Sequence, residues 1–364
     1  MNAAAIAWPV VQSPVVSRID PLQDSRWDHF VATHPRASVF HSSTWLKALS
    51  LTYGYRPVAL TTSQRDHDLR NALVFCRIES WLTGRRLVSL PFSDHCEPLL
   101  QSGDEAQMFA EVLEEEARQE HRWYIEMRPL TSFEIKTSLR CSHVNYSFHH
   151  LDLAPELEVL FQNFHKDSIQ RKIRRAEREH LSYEDGRTAE FLDRFYRLFK
   201  MTRQRHRLPP PPKTWFRNLV ECFGGALKIR LAAKQGRTVA AMLTLQHKDT
   251  LVYKYGCSDP GLNRFGGMHL LFWNAIQEAK QAGLSTFDFG RTDSGQSGLI
   301  TFKNRWGAKE SPLTYSRYSV LGHPTHVFDL PVDSWKSRAA KRTLAHLPLA
   351  VLSAVGSVLY KHVG

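Results

Sequence analysis

The predicted elements follow the same order in both halves of the chain. In each half, three runs rich in β-branched and apolar residues are followed by a loop, a helical pattern and one more strand-like run. These runs are 56–62, 71–80, 85–92 and 122–129 in the first half, and 226–234, 238–248, 250–257 and 285–290 in the second. Ser93-Asp94 and Ser258-Asp259 come at the same place in the two halves. The repeat predicts an α/β fold with mixed α+β sheets that arose by duplication of one unit.

Length and composition set the expected domain organisation. The chain has 364 residues, of which 42% are hydrophobic, and this is enough for two domains with cores of their own. We expect a first lobe over residues 22–150 and a second lobe over 151–320. A flexible N-terminal tail is expected over 1–21, and a basic and apolar C-terminal helix within 321–364.

The cysteines and the N-terminal residues indicate the compartment. The cysteines lie far apart without a CxxC pair, so neither a zinc site nor a disulfide framework is expected. They are Cys76, Cys96, Cys141, Cys222 and Cys257. The first twenty residues lack a basic start, and prolines interrupt their apolar stretch, so no signal peptide is expected. The pattern is typical of a cytoplasmic protein.

The basic character of the chain predicts an anionic partner. A net charge of +12 is typical of proteins that bind nucleic acid, phosphorylated substrates or acidic membrane faces. Residues 165–180 predict a helix with Ile169, Ile173 and Ala176 on one face and cations on the rest, and Asp167 with Gln170 is expected to form a capping box. This basic ridge is either a docking surface for an anion or a solvated helix face.

The C-terminal apolar stretch, 347–360, predicts a helix that does not cross a membrane. Pro348 and Gly356 interrupt it, and it is shorter than the roughly 20 residues that a spanning helix needs. A basic run precedes it, made of Lys336, Arg338, Lys341 and Arg342. Two alternatives remain: the helix lies in the headgroup region of an anionic membrane, or it packs on the protein itself.

Several reactive motifs are absent from the sequence. It has no HExxH zinc motif and no GxxxxGK[ST] phosphate loop, and DSGQSGL lacks the glycine spacing of a GxSxG nucleophile elbow. These absences argue against metal hydrolases, kinases and serine hydrolases, and no metal site is expected.

The second half resembles the core of the GNAT acetyltransferase fold. In that fold, a loop before the central helix receives the pyrophosphate of coenzyme A, because free amides at a helix N-terminus attract anions and glycines let the backbone approach the phosphates. The sequence Arg264-Phe265-Gly266-Gly267-Met268-His269 keeps the arginine and the second glycine of the GNAT pattern and has His269 at its last position. The resemblance implies that Arg264, Gly266 and Gly267 contact the cofactor portion of an acyl donor.

A longer resemblance covers roughly residues 25–320. The segment 253–310 contains YKYG, HLLFW, FDFG and GLITFKNRWG, and TRQRH, SVFHSSTWLKAL and LPFSDHCEPL match elsewhere. It is similar to the signature of the Fem family of peptidoglycan aminoacyl transferases and of their relatives with a BioF-like acetyltransferase domain, which are also linked to exopolysaccharide clusters. The resemblance implies two tandem GNAT-like lobes packed around a shared acceptor groove.

The Fem resemblance also implies roles for single residues. Lys303, in the Phe-Lys motif, is expected to stabilise the oxyanion of the attacked carbonyl, and Asp94 with His95 to orient or deprotonate the acceptor. The residues expected to bind substrate are Arg205, Tyr255, Lys47, Asp288 and Arg291. Two alternatives stay open, because an aspartate in a turn usually caps its own backbone and because Asp288 and Arg291 could form an internal ion pair.

Three functions are compatible with these patterns. The leading hypothesis is an acyltransferase that moves an acyl group from acyl-CoA to an amine or hydroxyl of a phosphorylated envelope precursor, such as a peptidoglycan or exopolysaccharide intermediate. The alternative takes its donor from aminoacyl-tRNA and builds peptidoglycan bridges. A non-catalytic nucleic-acid or membrane adaptor is the third. No tightly bound cofactor is expected, and the enzyme is expected in the cytoplasm or at the inner face of the membrane.

Overall fold

The structure is a computed structural model that describes residues 15–81, 84–119, 124–133, 135–320 and 349–363. Most of the predicted N-terminal tail and the basic run 336–342 lie outside these residues. The strands are β1 Ser17–Ile19, β2 Arg56–Thr61, β3 Leu73–Ser80, β4 Gly84–Val88, β5 Tyr124–Met127, β6 Arg140–Asp152, β7 Ser182–Gly186, β8 Leu227–Lys234, β9 Arg237–His247, β10 Thr250–Ser258, β11 Thr286–Asp293 and β12 Lys309–Ser319. The helices are α1 Trp27–Thr33, α2 Ser43–Tyr53, α3 Gly103–Gln119, α4 Leu157–Asn163, α5 Arg171–Arg178, α6 Ala189–Arg205, α7 Lys213–Phe223, α8 Gly267–Gln281, α9 Ser297–Asn304 and α10 Leu349–Val363.

The described strands form one twelve-stranded mixed sheet whose order is β1-β2-β3-β4-β5-β12-β6-β11-β10-β9-β8-β7. The pairing is symmetric about its centre, because β4 with β5 and β10 with β11 are parallel and the remaining neighbours are antiparallel. Each half runs strand, two helices, three strands, helix and two strands, with α9 inserted before the last strand of the second half. The predicted mixed α/β fold, with two similar halves in one mixed sheet, is therefore confirmed.

The last strand of each half lies beside the other half. β6, which follows β5 in the chain, pairs with β11, whereas β12, which follows β11, pairs with β5. β6 and β12 pair with each other along eleven positions, from Lys309 opposite His150 to Ser319 opposite Arg140. The expected lobe boundary at residue 150 falls inside β6. The exchange joins the two lobes through a continuous ladder of backbone hydrogen bonds.

The largest hydrophobic core is shared by both halves. It combines Trp27, Phe40 and Trp45 of the first half with Trp215 and Phe216 of the second. Separate cores lie beneath α5 and α8 in the second half and beneath α3 in the first. Because the shared core includes side chains from the two lobes, their relative position is held by burial of apolar surface.

The basic helix has its predicted buried face. Ile169, Ile173 and Ala176 are fully buried, and α5 packs on α8. The predicted capping box of Asp167 and Gln170 is wrong. A π-turn, Lys166–Gln170, precedes α5, and the side chain of His165 caps it by accepting the amide of Ser168.

The C-terminal helix α10 packs on the protein. Leu352 is fully buried, and a Cβ on Gly356 would overlap the carbonyl oxygen of Pro210. The hydroxyl of Tyr55 donates to the carbonyl of Tyr360 at 2.9 Å, and the guanidinium of Arg203 donates to the Tyr360 hydroxyl at 2.7 Å. α10 thus contacts both lobes. Among the described helices, none combines the length and the apolar character needed to cross a bilayer.

Candidate active site

The site is built where the parallel strands β10 and β11 stop pairing. Their parallel ladder runs from Thr250 opposite Thr286 to Val252 opposite Asp288, although both strands continue beyond it. A register shift follows in each strand, between Tyr253 and Tyr255 in β10 and after Asp288 in β11. Such bulges redirect side chains and open a gap between neighbouring strands.

Two of the predicted catalytic residues converge on Gly290 in this gap. The ammonium of Lys303 donates to the carbonyl oxygen of Gly290 at 2.8 Å and to that of Arg291 at 3.2 Å, and Lys303 is only 2% exposed. Gly290 has a φ of +70°, and a Cβ built on it would lie 3.1 Å from Oδ2 of Asp94. A loop of the first lobe and a helix of the second therefore meet at one glycine.

Lys254 is a site residue that the sequence analysis missed. Its Nζ lies 2.9 Å from Oδ2 of Asp94, and this ion pair is buried. Three aromatic rings surround the ammonium, with centroids 5.0 Å (Phe40), 5.6 Å (Trp45) and 5.7 Å (Tyr255) from Nζ. Lys254 is the second residue of YKYG, a position treated as variable in the motif. No sequence signal marked it, because the bulge in β10 and the approach of the Asp94 loop exist only in the folded chain.

Burial and charge shift the pKa values of these groups. Burial would raise the pKa of Asp94, but the Lys254 ammonium, with help from Arg291, lowers it below the usual value of an aspartate. Burial lowers the pKa of Lys254, and the charge of Asp94 opposes this effect. Burial also lowers the pKa of Lys303 to about 8, although Asp94 and Asp288 act against it. The site thus holds an ionised carboxylate and a lysine that titrates near neutral pH.

His95, Asp288 and Arg291 lie beside this centre. Nε2 of His95 is 3.5 Å from Oδ2 of Asp288, and Oδ1 of Asp288 accepts the Gly290 amide at 2.6 Å. The guanidinium of Arg291 instead stacks on Tyr146, 4.2 Å from its centroid. In the described part of the chain no ion pair joins Asp288 to Arg291, so the internal pair considered as an alternative is not formed.

Side chains from other elements hold the Asp94 turn by hydrogen bonds to its backbone carbonyls. The described contacts of the Asp94 carboxylate do not include a cap on its own backbone. The hydroxyl of Tyr315 donates to the Asp94 carbonyl at 2.7 Å, and Arg128 donates to the carbonyl of Leu90 at 2.9 Å. Leu90 and Phe92 both have positive φ, which is uncommon for residues with a Cβ. The carboxylate of Asp94 is therefore free to pair with Lys254 in the second lobe.

A cavity of about 310 Å³ between the lobes is lined by His95 and Asp288, among others. The first lobe contributes Val39 and Phe148, and the second contributes Val252, to its largely apolar walls. Because Asp288 lines the cavity and also binds the Gly290 amide, the cavity adjoins the centre where Lys303 and Asp94 meet. A group bound there would lie next to the buried charges.

Of the remaining predicted substrate residues, Tyr255 lies at the site, whereas Lys47 and Arg205 lie on the surface. The Tyr255 hydroxyl accepts the indole N–H of Trp215 at 2.9 Å, next to Lys254. Lys47 is exposed on α2, and Arg205 is exposed at the end of α6 beside His206. The contacts described for Lys47 and Arg205 do not join them to the Asp94 and Lys303 centre.

The predicted pyrophosphate loop is packed against the protein. A Cβ on Gly266 would overlap the carbonyl of Lys172 in α5, and one on Gly267 would lie 2.9 Å from Val239. Arg264 is exposed and stacks on Phe265. Burial lowers the pKa of His269 to about 4, so its ring is neutral. These glycines are explained by helix and sheet packing, which does not require a bound phosphate. In the described residues, no group of three or more histidine, cysteine or acidic side chains could hold a metal ion.

Residues 163–304 match the acetyltransferase (GNAT) domain family. The chain is also 24% identical over 147 residues to the UDP-N-acetylmuramoylpentapeptide-lysine N(6)-alanyltransferase of Weissella viridescens. That match covers 40% of this chain and 43% of the relative, so the chain matches less than half of the relative's length.

Solved structures are similar in fold. The crystal structure of FemX has a TM-score of 0.61 at 15% identity, with 82% of this chain and 96% of that chain covered. A tandem GNAT protein from the clavulanic acid biosynthesis pathway has a TM-score of 0.50 at 11% identity, with 84% and 98% covered. Sequence and fold together confirm the predicted resemblance to GNAT and Fem transferases.

Proposed function

We propose that this chain, which matches a GNAT domain over residues 163–304 and is similar in fold to FemX, transfers an aminoacyl group from aminoacyl-tRNA to an amine of a peptidoglycan-type precursor. The observation that carries this proposal is the convergence of Lys303 and Asp94 on Gly290. The proposal replaces acyl-CoA as the favoured donor, because the curated relative is an alanyltransferase that acts on a muramoylpentapeptide.

The chemistry requires one bond to form and one to break. The acceptor nitrogen attacks the ester carbonyl of the aminoacyl group, a C–N bond forms, and the C–O bond to the tRNA hydroxyl breaks. The nitrogen loses a proton and the leaving oxygen gains one. We assign the Lys303 ammonium to the developing oxyanion, where a buried positive charge is most effective, and Asp94 to orientation of the acceptor amine. His95 and Asp288 line the adjoining cavity, which we assign to the acceptor.

The surface of α5 supports a nucleic-acid donor. Arg171, Arg174 and Arg178 are exposed along this helix, and Lys166 lies in the turn before it. These four cations line one depression together with the carboxylates of Asp167 and Glu177. α5 packs on the first turn of α8, over the glycine loop that resembles a pyrophosphate site. Cations arranged in this way bind the phosphates of a polynucleotide backbone, and that binding weakens as salt concentration rises.

The experiment is a transfer assay with both donor classes. The purified chain is incubated with a UDP-muramoylpentapeptide and either alanyl-tRNA or acetyl-CoA, and products are identified by mass. We expect transfer from the charged tRNA, and a Lys303→Ala variant that folds normally is expected to lose about 10²–10³ in kcat. No transfer from any aminoacyl-tRNA tested would refute the proposal.

Charge reversal on α5 tests the donor surface separately. Arg174→Glu with Arg178→Glu should weaken tRNA binding and reduce its salt dependence. Arg217→Glu with Arg197→Glu makes the same charge change at exposed positions of α7 and α6 and serves as the matched control. Equal loss of binding in both double variants would show that α5 has no specific part in tRNA binding.

Acyl-CoA remains the second candidate donor, because residues 163–304 match a GNAT acetyltransferase domain. Transfer from acetyl-CoA, or a rise in melting temperature with free coenzyme A, would favour it. For either donor, we propose that the phosphorylated precursor is met at the cytoplasmic face of the membrane.

A further inference from the structure

The outer face of α10 is apolar although its inner face already packs on the protein. Val351, Ala354 and Val358 are exposed at positions i, i+3 and i+7, so they form one stripe along the helix. Val358 is 59% exposed. Leu352 and Gly356, on the inner face, contact the protein. The helix therefore has a second apolar surface that its contacts with the lobes do not require.

An exposed tryptophan extends this stripe. Trp81, at the end of β3, is 84% exposed, and its ring lies 5.6 Å from that of His362 in the last turn of α10. Tryptophan is mostly buried in soluble proteins, but it is enriched at the headgroup level of membranes, where its amphipathic ring is at home in the interface.

Cations outnumber carboxylates in a groove of about 680 Å³ that borders the end of α10. Its lining includes Arg18, Arg56, Arg77 and Lys361 with Asp20 and Glu79, and Arg18 and Arg77 also pair with the carboxylate of Glu116. From residue 334 to the C terminus, the sequence has five lysines and arginines and no aspartate or glutamate. An apolar stripe bordered by cations matches an anionic bilayer surface. A second copy of the chain would bring like charges together across a two-fold axis.

We propose that the α10–Trp81 face, formed by Trp81, Val351, Ala354 and Val358, binds the surface of an anionic membrane. α10 also bridges the two lobes, since Tyr55 of the first lobe binds the Tyr360 carbonyl and Arg203 of the second binds the Tyr360 hydroxyl. Docking of this face holds the enzyme at the bilayer with the lobes on the water side. The inference does not depend on which donor or acceptor the enzyme uses.

The test is cosedimentation of the full chain with phosphatidylcholine vesicles, with and without phosphatidylglycerol. We expect binding only to the anionic vesicles and a loss of at least about tenfold in the Trp81→Ser/Val358→Ser variant. Leu51→Ser/Val159→Ser removes two exposed apolar side chains elsewhere and should bind like the unmodified chain. Circular dichroism and melting temperature verify that each variant folds.

Three results would overturn the proposal. The first is no binding to anionic vesicles, and the second is equal binding by the two double variants. The third is concentration-dependent dimerisation that is lost only in Trp81→Ser/Val358→Ser, since this result would assign the face to a second copy of the chain. Transfer to a water-soluble acceptor is measured on the same samples. This assay separates a failure of membrane binding from a failure of the proposed reaction. We expect that transfer to persist in Trp81→Ser/Val358→Ser, since neither side chain belongs to the site.

Discussion

The ammonium of Lys254 and the carboxylate of Asp94 form a buried ion pair of 2.9 Å that joins the two lobes. Lys254 comes from a strand of the second lobe and Asp94 from a loop of the first. Each charge depends on the other for solvation, because the surrounding rings of Phe40 and Trp45 offer no hydrogen bond in place of water.

Removal of one member of this pair should destabilise the protein more than removal of both. Lys254→Met and Asp94→Asn should each lower the free energy of unfolding by about 3–5 kcal/mol, because the remaining charge stays buried without a partner. The double variant should lose less than the sum of the two. Urea unfolding of the four proteins gives the coupling energy.

The exposed pair of Arg171 and Asp167 provides the control. Its nitrogen and oxygen are 3.5 Å apart, and both side chains are largely in water. Arg171→Met should change the free energy of unfolding by less than about 1 kcal/mol. Strict additivity of Lys254→Met and Asp94→Asn would mean that the buried pair contributes no coupling.

The lowered pKa of Lys303 predicts an alkaline limit to activity. If the ammonium stabilises the oxyanion, kcat is largest below the pKa of about 8 and decreases as pH rises through it, because the neutral amine replaces the cation. Asp94 remains ionised throughout this range, since its pKa is lowered. The measurement is kcat against pH with both substrates saturating.

Two variants test whether the alkaline limit of kcat comes from Lys303. Lys303→Arg keeps a positive charge at high pH, so the decrease near pH 8 should disappear even if kcat is smaller. Lys309→Arg makes the same exchange at an exposed position of β12 and should leave the profile unchanged. A profile in which Lys303→Arg retains the decrease would assign it to another group.

Gly290 should be needed for activity beyond its backbone conformation. Gly290→Ala places a Cβ at 3.1 Å from the Asp94 carboxylate and is expected to lower kcat by about tenfold to a hundredfold through displacement of that group. Gly283 has a similar φ of +75° with open space around it. Because both glycines have positive φ, Gly290→Ala and Gly283→Ala should each lower the free energy of unfolding by roughly 1–2 kcal/mol. Gly283→Ala should nevertheless retain the kcat of the unmodified chain. Comparable kcat values for both variants would contradict a special role for Gly290.

Elements with strong apolar patterns were predicted from the sequence, whereas two strands rich in polar residues were missed. The run 238–248 appears as β9, Arg237–His247, and the helical pattern that follows the loop of the second half appears as α8, Gly267–Gln281. β6 and β12 were not predicted, because RCSHVNYSFHHLD and KESPLTYSRYS mix polar and aromatic residues and both strands obtain their stability from pairing across the lobes. Tertiary context decided these two strands.

The residues of the candidate site were likewise predicted only in part. Asp94, His95, Asp288, Arg291 and Lys303, which the family resemblance named as candidates, lie around Gly290, and their catalytic and binding roles stay predictions. Lys254 was missed, because only the folded chain brings the first-lobe loop against β10. Gly266 and Gly267 were assigned to a cofactor, since a glycine pair before a helix has the same sequence whether it faces a phosphate or a packed carbonyl.

Docking of α10 should depend on Gly356. A side chain at this position would overlap the Pro210 carbonyl, so Gly356→Val should push the helix away from the lobes and lower the free energy of unfolding by about 1–3 kcal/mol. Hydrogen exchange of the α10 amides should accelerate, because the bonds from Tyr55 and Arg203 to Tyr360 would be lost. Ala354→Val adds a similar side chain on the exposed face of the same helix and should leave exchange unchanged. Equal protection of α10 in the two variants would show that the contact with Pro210 does not hold the helix.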